Sequence, residues 1–255
     1  MGIQNIFFCH GGVHSVFMYL GVIKELYNSR DILDLEKLRI YGSSSGSFMG
    51  FICLLVLHEL LDIDTITKMI QQCFNNSSIL QRINITQMCI DSLELLFAQI
   101  KHWETDALIL ANKHLYVAVS QPARFIFIHE FDNITMMKHI FMLSSNLILI
   151  SSYPAYYQNT ITIDGGYRMR SHDLPEECLM IYNYGIQFPE CIVIPPEKEQ
   201  NELITKGHTY LKQKKTASRC AEDDDWCFYK YTELELWLFF SIQQMWYKNN
   251  RIGYN

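Results

Sequence analysis

The sequence lacks several features that would settle its class at once. Its eight cysteines are scattered, with no C-x-x-C pair and no metal-ligand spacing. No basic lead opens the chain, and the first apolar run is broken at "CHGG", so no signal peptide is read. A reducing, intracellular compartment is therefore expected, with the cysteines serving as small core residues. Position 6 is Ile6 rather than Ser or Thr, which excludes the myristoylation pattern. The longest apolar runs, such as "FMGFICLLVL" over 48–57, fall far short of the roughly 20 residues that span a bilayer. The protein is expected to be soluble and cytoplasmic, at most peripheral to a membrane. No basic excess is present: the net charge of −6 argues against a nucleic-acid partner. The basic stretch 206–219 runs into "EDDD" at 222–225, which reads as a solvated helix and an acidic turn rather than a patch for anionic lipid. No carboxylate cluster has the look of a calcium site, so neither metal nor cofactor is expected. Finally, no linker rich in Pro or Gly and no internal repeat divides the chain, and one domain over 1–255 is the expectation.

What is present is material for a core, 49% of the residues being hydrophobic. "NIFF" at 5–8 reads as a buried strand ending at a glycine turn. "VFMYLGVIKELYNS" at 16–29 has helical spacing, with Phe17, Leu20, Ile23, Lys24 and Tyr27 three or four residues apart. "KLRIY" at 37–41 reads as the next strand, and "SFMGFICLLVLHELL" at 47–61 as a helix apolar on nearly every side, hence buried. Helices are expected through about 62–112, with "NNSS" at 75–78 as a loop. Strands follow at 114–120 and 124–131, then a helix at 134–143, two short strands in "CLMIY" and "CIVIPP", and helices at about 198–214 and 231–248. Strand and helix alternating in this way predict an α/β fold with a mostly parallel central sheet.

Between the second strand and its helix stands "GSSSG". Gly42-Ser43-Ser44-Ser45-Gly46 fits G-x-S-x-G with Ser44 in the middle. A serine at a sharp strand-to-helix turn sits in a strained conformation, and its neighbours two residues away must be small. The helix that follows points its positive end at the oxyanion of acyl transfer. A flexible linker has much the same composition, but a linker has no reason to separate a buried strand from a buried helix. "HGG" at 10–12 ends the first strand, which in a parallel sheet lies beside the second. The backbone N–H groups of Gly11, Gly12 and Val13 would then face Ser44 as oxyanion donors. An ordinary turn that needs glycine is the competing reading. "TIDGG" at 162–166 puts Asp164 at a strand end before Gly165 and Gly166, either as a base or as a routine Asp-Gly hairpin turn.

Taken together, "HGGV", "GSSSG" and "DGG" resemble the motifs of a patatin-like phospholipase, in the family's order. "YLGVIKEL" at 19–26 resembles the helix after the family's glycine loop. "SSYPAYYQNTITIDGG" resembles the approach to its aspartate, and "LITKGHTYLKQ" at 203–213 its closing helix. The likeness covers about 3–215 in outline, with further C-terminal helices at about 216–255. It implies a three-layer α/β/α patatin-like fold and a Ser–Asp dyad without histidine: Ser44 as nucleophile, Asp164 as base, Gly11 and Gly12 in the oxyanion hole. The implied activity is hydrolysis of phospholipid, lysophospholipid or acylglycerol esters through an acyl-Ser44 intermediate, on membrane or micellar lipid met peripherally. The loop departs from the family's G-G-G-x-[K/R]-G: His10 replaces the first glycine, Ser15 the last, and His14 stands at the basic position, read as a surface histidine or else as a partial substitute for the basic residue. Two alternatives are a Ser–Asp–His esterase using His172 or His208, and a catalytically weak domain that binds lipid or protein.

Overall fold

The apolar run Asn5–Phe8 meets no breaker before its glycines, and it forms strand β1 of the structure, a computed structural model that describes residues 2–76, 85–146, 156–169, 173–175, 177–182, 194–214 and 241. Helix α1 (Gly12–Asn28), strand β2 (Arg39–Ser43) and helix α2 (Ser45–Leu57) follow. Three more helices, α3 (Ile63–Asn76), α4 (Ile85–Gln99) and α5 (Glu104–His114), lead back to strand β3 (Leu115–Gln121). Then come β4 (Arg124–Ile128), α6 (Ile134–Ser144), a hairpin of β5 (Tyr156–Tyr157) and β6 (Thr160–Ile161), β7 (Ile163–Asp164), β8 (Leu179–Ile181) and α7 (Glu197–Lys214).

The fold is mixed α/β, with a mostly parallel central sheet and flanking helices. Strands run in the order β4-β3-β2-β1-β8, and β7 also pairs with β3. β8, β1, β2 and β3 are parallel, whereas β4 and β7 are antiparallel to β3. The two-residue alternation of strands divides the side chains. Ile6, Phe8, Ile40, Val117 and Val119 belong to the main core with α1 and α2. Phe7, Tyr41 and Ala118 belong to a second cluster with Met169, Leu174 and Tyr182. Among the described residues, no helix is long and apolar enough to cross a membrane.

The elements follow the expected order, with informative differences. α1 starts at Gly12, four residues before the periodic stretch, and is buried on almost every side, because α7 packs along its outer face. Gly21 and Gly207 make that crossing close: a Cβ on Gly21 would stand 2.9 Å from the Ile204 carbonyl carbon. Residues 75–76 of the expected loop at 75–78 are helical, since α3 runs through Asn76, and 77–78 lie outside the described residues. Of the strand expected in "CIVIPP", residues 194–196 are not extended into any sheet and 191–193 lie outside the described residues, as does the helix expected at 231–248 apart from residue 241. The β5–β6 hairpin turns on Gln158 and Asn159 at φ 50° and 61°. Its sequence carries no glycine to announce it, and only Asn159 suits that region.

Candidate active site

The site is built where two parallel strands end side by side. Phe8 of β1 is level with Gly42 of β2, so the chain beyond Phe8 and the serine turn beyond Gly42 leave the same edge of the sheet. Ser44 adopts φ 56°, ψ −133°, in the left-handed half of the map that a side chain disfavours. The turn holds it there from several directions. The Ser44 N–H donates to Ser144 Oγ at 3.0 Å, and Ser144 Oγ donates in turn to the Ala118 carbonyl at 2.7 Å. The Ser44 carbonyl accepts from the N–H and Oγ of Ser47 at 2.9 and 2.6 Å. Gly42 and Gly46 are small for a reason visible here. A Cβ on Gly42 would press 2.6 Å from the Gly46 carbonyl oxygen, and one on Gly46 would stand 2.5 Å from the Cys9 carbonyl oxygen. Gly46 thereby lets the first turn of α2 lie against the end of β1. Beside Ser44, the hydroxyls of Ser43 and Ser45 have no hydrogen-bond partner among the described residues.

The sheet register also delivers Asp164. β2 pairs with β3 as far as Ser43 opposite Ala118, and there Ser44 turns away. β4 occupies the other edge of β3 through Gln121, so β7 takes the edge that β2 vacates, with Asp164 opposite Val119. Running antiparallel, β7 meets the tip of β2 end to end. The Asp164 N–H donates to the Asn146 carbonyl at 3.1 Å. Its Oδ1 accepts the Gly166 N–H at 2.8 Å, and the Ser44 hydroxyl stands near enough to favour the charged carboxylate. Gly165 lies flat on Ala118, whose carbonyl oxygen would be 2.5 Å from an added Cβ, and Ser120 Oγ donates to the Gly165 carbonyl at 3.1 Å. The Asp-Gly-Gly stretch is thus a short 3₁₀ turn, Gly165–Tyr167, capped by the aspartate itself, and not a β-hairpin turn. Asp164 is 1% exposed and Ser44 8%. Burial pushes the Asp164 carboxyl up to about 7, against the pull of the Ser44 hydroxyl and the Gly166 N–H. A base with that affinity titrates where a general base works best at neutral pH.

The glycine loop supplies the third component. Gly12 has φ 61°, a conformation that favours glycine, and opens α1; Val13 follows it, buried. Among the described residues, no side chain caps the start of α1 and no acidic residue lies in its first turn. Tyr19 OH donates to the Cys9 carbonyl at 2.7 Å and ties the loop to α1. Ser15, where the family has glycine, is buried against Gly11: its Cβ would be 2.7 Å from a Cβ there. His14 is not a surface residue, contrary to the sequence reading. It is buried, with Nε2 3.4 Å from Glu199 Oε1 of α7, because α7 covers the face of α1 that carries it. His10 is also buried, and burial lowers its imidazole to about 4, so the ring is neutral near pH 7.

Of the histidines considered for a triad, His208 sits on α7 with Nδ1 3.9 Å from Glu25 Oε2, and His172 lies outside the described residues. Sequence reasoning missed Ser144, Asn146 and Ser120, which hold the turn and the aspartate. No local pattern marks them, since their roles follow from the pairing of β2, β3 and β7. Among the described residues there is no group of three or more His, Cys, Asp or Glu arranged to hold a metal ion. No family model matches the chain. A comparison with curated proteins gives no match either.

Proposed function

We propose that this protein is a lipid acyl hydrolase of the patatin-like kind, with the three-layer α/β/α architecture of that family and a Ser44–Asp164 dyad. The observation that carries the reading is the Ser44 hydroxyl, on a strained strand–helix turn, set beside a buried carboxyl of near-neutral affinity. The Asp164 carboxylate accepts the Ser44 proton as Oγ attacks the ester carbonyl. The N–H groups of Gly11, Gly12 and Val13, at the positive end of α1, face the developing oxyanion. Collapse expels the alcohol, which takes the proton from Asp164 and leaves acyl-Ser44. Asp164 then takes a proton from water, the hydroxide attacks the acyl carbon, and the fatty acid departs as Ser44 recovers its proton. The lipid class of substrate rests on the resemblance of the three motifs, and so does peripheral contact with membranes or micelles by a soluble intracellular protein.

One observation favours the weakly catalytic alternative: His10 and Ser15 fill places where the family has glycine, and both are buried against the loop. A fluorophosphonate probe separates the two readings. The parent protein is expected to be labelled at Ser44, Ser44→Ala to lose both labelling and ester hydrolysis, and Ser43→Ala to keep them. An unlabelled, well-folded parent would favour the binding domain. A second arm addresses the dyad. His208→Ala should retain activity within about tenfold, whereas loss of a catalytic histidine lowers kcat by about 10³ or more. Asp164→Asn should lose about 10²–10⁴ of the rate. A thousandfold fall in folded His208→Ala would convert the reading to a triad esterase.

A further inference from the structure

The side chain of His10 has no counterpart in the glycine loop that the sequence resembles, yet it is 4% exposed and reaches the aspartate's turn. Its Nδ1 and Cγ lie 2.9 and 3.0 Å from the point where a Cβ on Gly166 would stand. Asp164 Oδ1 lies 3.2 Å from that same point, and the Gly166 N–H is the backbone donor to that oxygen. The imidazole therefore fills the ground beside the carboxylate, between the glycine loop and the Asp-Gly-Gly turn. A glycine at position 10 would leave that ground open.

We propose that His10 is a positioning residue of the dyad, whose ring excludes water from the Gly166 side of Asp164 and holds the carboxylate in one orientation towards Ser44. The proposal rests on the Ser44–Asp164 reading and adds a residue that acts through Asp164 rather than on substrate. Three observations agree with it. Besides burial, only the Ser44 hydroxyl and the Gly166 N–H act on the Asp164 carboxyl, and no charged side chain among the described residues tunes it. Arg168, the nearest cation along the chain, turns its guanidinium to the Pro122 carbonyl. The ring itself is neutral at physiological pH, so it dries the carboxylate without pairing with it. A cationic histidine would stabilise the carboxylate and lower its proton affinity. A neutral one of the same shape keeps that affinity high.

The experiment compares the parent with His10→Gly and His10→Phe. Asp164 is titrated directly by carboxyl ¹³C NMR, assigned by difference from Asp164→Asn, beside the pH profile of kcat/KM on a soluble p-nitrophenyl ester. His10→Gly is expected to move the Asp164 midpoint down by about one pH unit or more, with the acid limb of the profile following. His10→Phe, apolar and of similar bulk, is expected to hold the midpoint within about half a unit and to keep activity within about tenfold. Should His10→Gly not fold, His10→Ala opens the same space. An unmoved midpoint in the small variants would overturn the proposal. So would a thousandfold loss in folded His10→Phe, which would make the imidazole a catalytic base. Failure of the parent to hydrolyse any ester would strike the enzymatic reading alone, because the NMR titration still reads His10 against Asp164.

Discussion

A single hydroxyl at the end of α6 joins the serine turn to β3. Ser144 Oγ accepts the Ser44 N–H and donates to the Ala118 carbonyl, so the Ser44 backbone is tied to β3, the strand against which Asp164 and β7 pair. Removing that hydroxyl leaves a buried N–H without a partner, a loss of about 1–3 kcal/mol. Because the strained φ of Ser44 must be over-determined by its surroundings, part of that loss should appear in the geometry of attack. Ser144→Ala is therefore expected to lower kcat about tenfold to a hundredfold while KM changes little. Steady-state kinetics on a soluble ester would check this, and an unchanged kcat would show that Ser47 and the two glycines hold the turn unaided. The contrast with Ser44 explains what a sequence can reveal about a site. Gly42, Ser44 and Gly46 answer to local sterics within one turn, and Asp164 with Gly165 and Gly166 forms another compact unit, so both are legible as short motifs. Ser144, Asn146 and Ser120 are lone polar residues whose partners lie on other strands. His14 was misread for the same reason, since the helix that buries it lies far along the chain.

At the scale of elements, α1 links the glycine loop to the rest of the molecule. Its N-terminus presents the loop, and its outer face is closed by α7, where Gly207 lies against the backbone of Met18, Gly21 and Val22. A side chain at Gly207 would overlap the Met18 carbonyl and stand 2.9 Å from the Val22 nitrogen, which are backbone atoms that cannot rotate away. Gly207→Val is expected to destabilise the fold by about 1–3 kcal/mol, read from the urea midpoint. Thr205→Val, on the exposed side of the same helix, should stay within about 0.5 kcal/mol. The activity of Gly207→Val should fall as well, since tilting α1 moves the N–H groups of Gly11 and Gly12. Equal stability of the two variants would mean that the crossing is not tight. This crossing also marks where reading elements from sequence gives out. α2 was legible as a fully buried helix because its own residues are apolar on all sides. α1 was legible as a helix only over 16–29; its first turn, with His14 and Ser15, and the burial of its outer face follow from α7 lying against it. The parallel order of β1, β2 and β3 was legible from the alternation of strand and helix. Asp164 was legible as a strand end, but the place of β7 beside β3 was not, since that pairing follows from the space β2 vacates and not from any pattern of its own.

Over the whole molecule, the buried groups of the site make folding stability depend on pH in two opposed ways. Asp164 has a folded affinity raised to about 7 by burial, above its ordinary value of 3.8. The native state then binds the proton more tightly than the unfolded chain, so the stability linked to this group is full below about 4 and is lost as pH rises to about 7. His10 is lowered by burial from 6.5 to about 4, and its linked stability is full above 6.5 and is lost as pH falls towards 4. His58 and His114, lowered first by burial, add to the loss on the acid side. Between about pH 4 and 6.5 the two trends oppose each other, and the parent's stability is expected to vary little there. Above that window the histidines have nothing further to give, while the ionised Asp164 still weighs against the fold. Asp164→Asn removes the buried charge and keeps the shape. The stability difference between Asp164→Asn and the parent should therefore grow from pH 5 to pH 8, towards an upper bound on the order of 4 kcal/mol for a shift of about three pH units. Urea titrations of both proteins at pH 5, 6, 7 and 8 measure it directly. A variant that is more stable and less active is the signature of a charge kept buried for its chemistry. A difference that stays constant across those four pH values would mean that Asp164 ionises in the folded protein as an ordinary carboxylate, and that it is no base poised near neutrality.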